Sequence, residues 1–131
     1  MTKTELDAER TVIPPRGGLL HVVDAAGYSV AGARRLWAET AARLEILAAG
    51  IIVAGFLWQG AVLWQWLVVL LLFALTLVVE ALNTAIEVLT DRVSPEWSQA
   101  AKDAKDLGSL AVGLMLMVCG VFAGLVIVGV L

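Results

Sequence analysis

From Ile46 to Val79 the chain carries no charged residue. That run far exceeds one membrane span of roughly 20 residues, so the chain must turn inside it. Trp58-Gln59-Gly60 is the best place for the turn, with Trp64 and Trp66 just beyond. The pattern predicts a first span over about 40–58 and a second over about 61–93. At 1.5 Å per residue the second helix outruns a ~30 Å hydrocarbon core. Its excess, from Glu80 to Asp91, should pass through the headgroup region. Nothing after Asp106 is charged, and a third span is predicted over about 105–131.

Ahead of the first span, residues 18–38 mix apolar positions (Leu19, Leu20, Val22, Val23, Val30, Leu36, Trp37) with polar ones (His21, Asp24, Ser29, Arg34, Arg35). Such a segment is too polar to span but suits a helix lying along a membrane surface. Gly27 and Gly32 weaken a helix here and leave room for a break. Between the second and third spans, Ser94-Pro95-Glu96 reads as a helix opening, with a capping serine and a first-turn proline. A short surface helix is predicted over 95–104. Residues 1–17, charged and containing Pro14-Pro15, read as a cytoplasmic tail without the apolar core of a secretory signal. The fold class is thus all-α integral membrane. Residues 18–131 form one domain, a surface helix plus three transmembrane helices.

Composition agrees. Of 131 residues, 60% are hydrophobic and the mean hydropathy is +0.90, more apolar side chain than a soluble domain of this size can cover. A net charge of −3 gives no reason to expect a nucleic-acid partner. The single cysteine, Cys119, excludes an intrachain disulfide and reads as a packed thiol. The tryptophans at 58, 64, 66 and 97 lie near predicted span ends, as aromatic belts do. All nine Lys and Arg lie at 3–43 or 92–105. Positive residues stay in the cytoplasm, so the N-terminus and the 92–105 loop are expected inside, and the 58–66 turn and the C-terminus outside. The glycines at 113, 120, 124 and 129 give the third span small-residue faces for close packing.

The chemistry concentrates where the second span meets the cytosol. Glu80, Asn83 and Glu87 are spaced three and four apart and share one helix face. Ionisable groups at membrane depth are costly and usually functional. The predicted topology brings Glu39, Glu45, Lys105 and Asp106 to the same interface. Carboxylates with an amide can hold Mg²⁺, a lysine can offset phosphate charge, and a carboxylate can take a hydroxyl proton. These are the requirements of phosphoryl transfer. No Walker or kinase glycine loop is present. Spacing alone leaves open a small ion-coupled transporter, which also uses intramembrane carboxylates, or a non-catalytic membrane scaffold. Glu39 and Arg43, four apart, are placed to pair on their helix. Taken alone, His21 reads as an interfacial polar residue, and Ala25-Ala26-Gly27-Tyr28-Ser29 as a helix irregularity.

Glu80-x-x-Asn83-Thr84-Ala85-Ile86-Glu87-x-x-x-Asp91-Arg92, followed by Ala104-Lys105-Asp106-x-Gly108-Ser109-x-Ala111-Val112, resembles the small prokaryotic integral-membrane diacylglycerol kinases, a family that includes undecaprenol kinases. The resemblance covers about residues 19–130. It implies a homotrimer that phosphorylates a lipid hydroxyl with MgATP in the bacterial inner membrane, through sites shared between protomers. By position it implies Glu80 as catalytic base and Glu39 and Glu87 as Mg²⁺ ligands. It implies ATP contacts from His21, Tyr28, Ser29, Asn83, Glu96, Trp97, Ser98, Lys105 and Asp106. Ala25, Glu45, Glu80 and Ser109 would border the lipid. The chain departs from the family at His21, where Arg is common, and at Ser98, where His often stands. It is also one residue short between Tyr28 and Glu39. Diacylglycerol is the expected substrate, with undecaprenol the alternative.

Overall fold

A computed structural model describes residues 17–131; residues 1–16 of the expected 1–17 tail lie outside the described residues. The described chain forms four helices: α1 (Leu19–Trp37), α2 (Thr40–Gln59), α3 (Leu63–Val93) and α4 (Gln99–Ile127). The last three are long and apolar enough to cross a membrane. Among the described residues, those up to Ala33 and those from Arg34 to Leu131 fall into two separate units.

Helix α1 runs unbroken through Gly27 and Gly32. The penalty for an interior glycine is roughly 1 kcal/mol, too small to interrupt a helix of 19 residues. Arg34 and Arg35 fall in its last turn, where cations oppose the helix dipole.

The α2–α3 turn falls where the sequence places it. Helix α2 ends at Gln59, and Gly60 takes a left-handed backbone with φ 74°. Such a residue closes a helix most cheaply when it is glycine. The Gly60 and Ala61 N–H groups donate back to Leu57 O at 3.4 Å and Phe56 O at 2.9 Å. Helix α3 then opens with Gln65, whose Oε1 accepts the Val62 N–H at 2.6 Å while its Nε2 donates to Leu131 O at 3.0 Å. With 31 residues α3 is about 46 Å long, longer than the hydrocarbon core.

The α3–α4 connection differs from expectation. There is no separate helix over 95–104: Ser94 closes α3, donating its N–H to Thr90 O at 2.8 Å, and α4 begins at Gln99 and continues to Ile127. Ser98, not Ser94, is the capping serine, its Oγ accepting the Ala101 N–H at 3.2 Å. Side-chain ties from Gln99 to Asp103 and from Lys102 to Asp106 run along the first turns. They carry the helix through the polar stretch into the apolar one without a break.

Helix α3 packs chiefly on α4, with α2 against both. The buried apolar core sits near the α2–α3 turn, formed by Phe56, Val69, Cys119, Ala123 and Val126. Phe56 is fully buried, edge-on to Trp66 at a centroid distance of 5.2 Å and tilted against Phe122 at 6.5 Å. Trp66 also donates Nε1–H to Ala61 O at 3.2 Å, so this tryptophan is a packing element. Many large apolar side chains, among them Leu47, Leu57, Leu70 and Val118, face outward. Lipid is as apolar as leucine, so a bilayer leaves these without cost.

Candidate active site

At the far end of the three helices from the aromatic core, a cleft of about 300 Å³ opens between them. Its walls are Glu39 and Ala41 from the start of α2, Glu80, Asn83, Thr84 and Glu87 from α3, and Ser109 and Val112 from α4. The three-and-four spacing on α3 turns its polar residues to one side. The antiparallel course of the chain brings the α2 entry and the first turns of α4 to the same level. Glu80 retains only 4% of its exposure, and Asn83 and Thr84 are likewise buried. Glu39 and Glu87 are half-buried.

Asn83 ties the cleft internally. Its Nδ2 donates to Glu87 Oε1 at 3.1 Å. A carboxylate only accepts, so this contact fixes which end of the amide is nitrogen. The Asn83 Oδ1 is buried without a hydrogen-bond partner. Glu39 instead engages Arg35, four residues earlier on the chain. The expected Glu39–Arg43 pair is absent; the Arg43 guanidinium donates to Thr40 Oγ1 at 3.3 Å.

Glu39, Glu80, Asn83, Glu87 and Ser109 therefore meet, and the other expected site residues stand elsewhere. Glu45 lines a narrower cavity of about 120 Å³ with Ala48, Thr76 and Leu116. It is buried there, with Oε2 unpartnered. Lys105 pairs with Asp91 across α3 and α4 at 2.5 Å, and Asp106 pairs with Lys102 on the α4 surface. Neither lines the cleft. Glu96 and Trp97 are exposed in the connection, and the Ser98 hydroxyl is occupied with capping α4 and with Ser94 Oγ at 3.0 Å. On α1, Ala25 accepts a hydrogen bond at its carbonyl from Ser29 Oγ at 3.0 Å, and His21 and Tyr28 are exposed. Thr84 is a cleft residue that the sequence reading passed over; its place four residues after Glu80 is the signal that could have found it. Ala41 and Val112 carry no such signal. A further groove, about 270 Å³, is bounded by Ile52, Trp66, Leu70, Phe73 and Cys119 and offers nothing to hold a phosphate.

Glu39 and Glu87 give the cleft hard oxygen donors of the type Mg²⁺ takes. Among the described residues no three His, Cys, Asp or Glu side chains stand close enough to enclose an ion by themselves. That suits a cation which binds through one or two carboxylates and completes its shell with substrate phosphates and water. The Arg35 guanidinium on Glu39 would have to give way.

These features define a three-span helical membrane protein with carboxylates gathered in a polar cleft at one end. The family model for prokaryotic diacylglycerol kinase matches residues 27–127. A diacylglycerol kinase of Sinorhizobium is 43% identical over 111 residues, covering 85% of this chain and 81% of its own. One from Pseudomonas aeruginosa is 36% identical over 86% of this chain and 92% of its own. One from Escherichia coli K12 is 34% identical over 77% and 84%. The chain belongs to the prokaryotic diacylglycerol kinase family. It is a bacterial membrane protein and a lipid kinase, a class that uses ATP as co-substrate and generally a divalent metal.

Proposed function

We propose that the chain transfers the γ-phosphoryl group of ATP to the free hydroxyl of diacylglycerol, forming phosphatidic acid, and that the transfer takes place at the cleft containing Glu80. The observation that carries this reading is the convergence of Glu39, Glu80, Asn83 and Glu87 from two helices on one cleft. Glu80 is the general base. Its carboxylate takes the proton of the lipid hydroxyl as that oxygen attacks the γ-phosphorus, and ADP leaves with the electrons of the broken P–O bond. Burial keeps bulk water away from Glu80, so the lipid hydroxyl rather than water is activated. Glu39 and Glu87 hold the metal, taken as Mg²⁺, and Asn83 steadies Glu87. When bound, that ion neutralises charge on the phosphates.

Lys105 and Asp106 supply ATP-phosphate contacts, with Lys105 exchanging Asp91 for phosphate. In the homotrimer that the family resemblance implies, the site would be completed between copies. Glu96, Trp97, Ser98, His21, Tyr28 and Ser29 border the nucleotide, and Ala25, Glu45 and Ser109 border the lipid. The cation distribution supports an orientation with the N-terminus and the α3–α4 connection in the cytoplasm and the C-terminus outside. The protein in mixed micelles with labelled ATP, given diacylglycerol and undecaprenol side by side, tests the reading. Faster phosphorylation of diacylglycerol is expected. Preference for undecaprenol would overturn the substrate, and ion flux without ATP consumption would overturn the enzyme.

A further inference from the structure

Gly108 has no catalytic chemistry, yet the cleft depends on what it lacks. It is buried on α4 beside Ser109, facing α3. A Cβ added there would lie 2.1 Å from Asn83 Oδ1 and 3.2 Å from Asn83 Cγ. The first distance is far inside van der Waals contact. Asn83 cannot escape by turning its amide end for end. Its Nδ2 must face Glu87, because an oxygen there would oppose a carboxylate oxygen across 3.1 Å. The Oδ1 is thereby pinned toward Gly108, buried and without a hydrogen-bond partner. An unpaired buried carbonyl costs free energy, which the fold tolerates where that orientation keeps the Nδ2–Glu87 bond.

We propose that Gly108 is a positioning residue: its missing side chain seats the Asn83 amide, which in turn aims the Glu87 carboxylate into the cleft. This rests on the reading of Glu87 as a metal ligand. A hydrogen-bond partner of a ligating carboxylate affects metal affinity by roughly 10–100-fold when removed, and the same loss is expected when that partner is displaced.

The test is a double-mutant cycle on the full chain with Gly108→Ala, Asn83→Ala and both together. Two quantities are read: the Mg²⁺ concentration for half-maximal turnover at saturating ATP, and Mn²⁺ binding in the presence of a non-hydrolysable ATP analogue, which needs no turnover. Gly108→Ala in the parent weakens Mn²⁺ binding at least tenfold and raises the Mg²⁺ requirement similarly. In the Asn83→Ala background, where nothing remains to collide with the new methyl, the same substitution changes Mn²⁺ binding less than twofold. If glycine serves only to let α3 and α4 approach, the loss is equal in both backgrounds, and the proposal is overturned. Unchanged metal affinity in Gly108→Ala overturns it as well. Should Gly108→Ala fail to fold, adding Asn83→Ala must restore a folded protein, and failure to do so again counts against it. Glu87→Gln separates this from the parent reading: if that variant binds Mn²⁺ as the parent does, the assignment of Glu87 fails whatever the cycle shows.

Discussion

Glu80→Gln isolates the chemical step from everything else the cleft does. Glutamine has nearly the volume and shape of glutamate, so the substitution leaves no cavity at a position that keeps 4% of its exposure. It removes one of three carboxylates lining a space of about 300 Å³ while leaving Glu39 and Glu87 to bind metal. A positioned general base contributes roughly 10²–10⁴-fold to a rate, equivalent to about 3–5 kcal/mol of barrier. The expected result is therefore a fall in kcat of at least 100-fold, with KM for MgATP within about threefold of the parent. The folded protein should not lose thermal stability, because one of the like charges crowded into a partly desolvated cleft is gone. Turnover is read from labelled ATP incorporated into lipid in mixed micelles, and unfolding from a thermal scan in the same detergent. A kcat within threefold of the parent would refute the assignment of the base. A raised KM with unchanged kcat would move Glu80 from the chemistry to nucleotide binding.

Phe56→Ala removes a fully buried ring from the aromatic cluster with Trp66 and Phe122. It should destabilise by about 3–5 kcal/mol, seen as a lower midpoint in a thermal scan in detergent, while the folded fraction keeps its specific activity. Ser98→Ala deletes the cap of α4 and should cost about 0.5–2 kcal/mol. Thermal unfolding checks that loss, and a severalfold rise in KM for ATP beyond it would show that the hydroxyl also meets the nucleotide. In a Cys119→Ser background, single cysteines at 62 and 96, both exposed, should differ in labelling of intact cells by a membrane-impermeant maleimide. Position 62 should react and position 96 only after lysis; the reverse pattern would invert the proposed orientation.

The three spans were legible because a bilayer imposes a length on every crossing segment. An uncharged run as long as Ile46–Val79 has to fold back, and it does so at Gly60. The α3 face of Glu80, Asn83 and Glu87 was legible for a similar reason, since helical spacing alone sets it. What the spacing could not settle was competition between neighbours. Arg35 and Arg43 both stand four residues from Glu39, and the structure pairs it with Arg35. Ser94 and Ser98 both precede helix-forming sequence, and only Ser98 meets a free N–H at the right point. Lys105, expected beside the carboxylates, pairs with Asp91 and does not line the cleft. The role of Gly108 was invisible along the chain, because it exists only in relation to Asn83 on another helix.

Packing along the three spans is lopsided. Aromatic rings lock one end together, whereas at the other the Lys105–Asp91 pair joins α3 to α4 beside an open cleft. Fluctuations that part the helices should therefore be cheapest where the carboxylates are, pivoting about a stiff foot on the opposite side of the membrane. A substrate resident in the bilayer would then find its easiest sideways approach at that looser end.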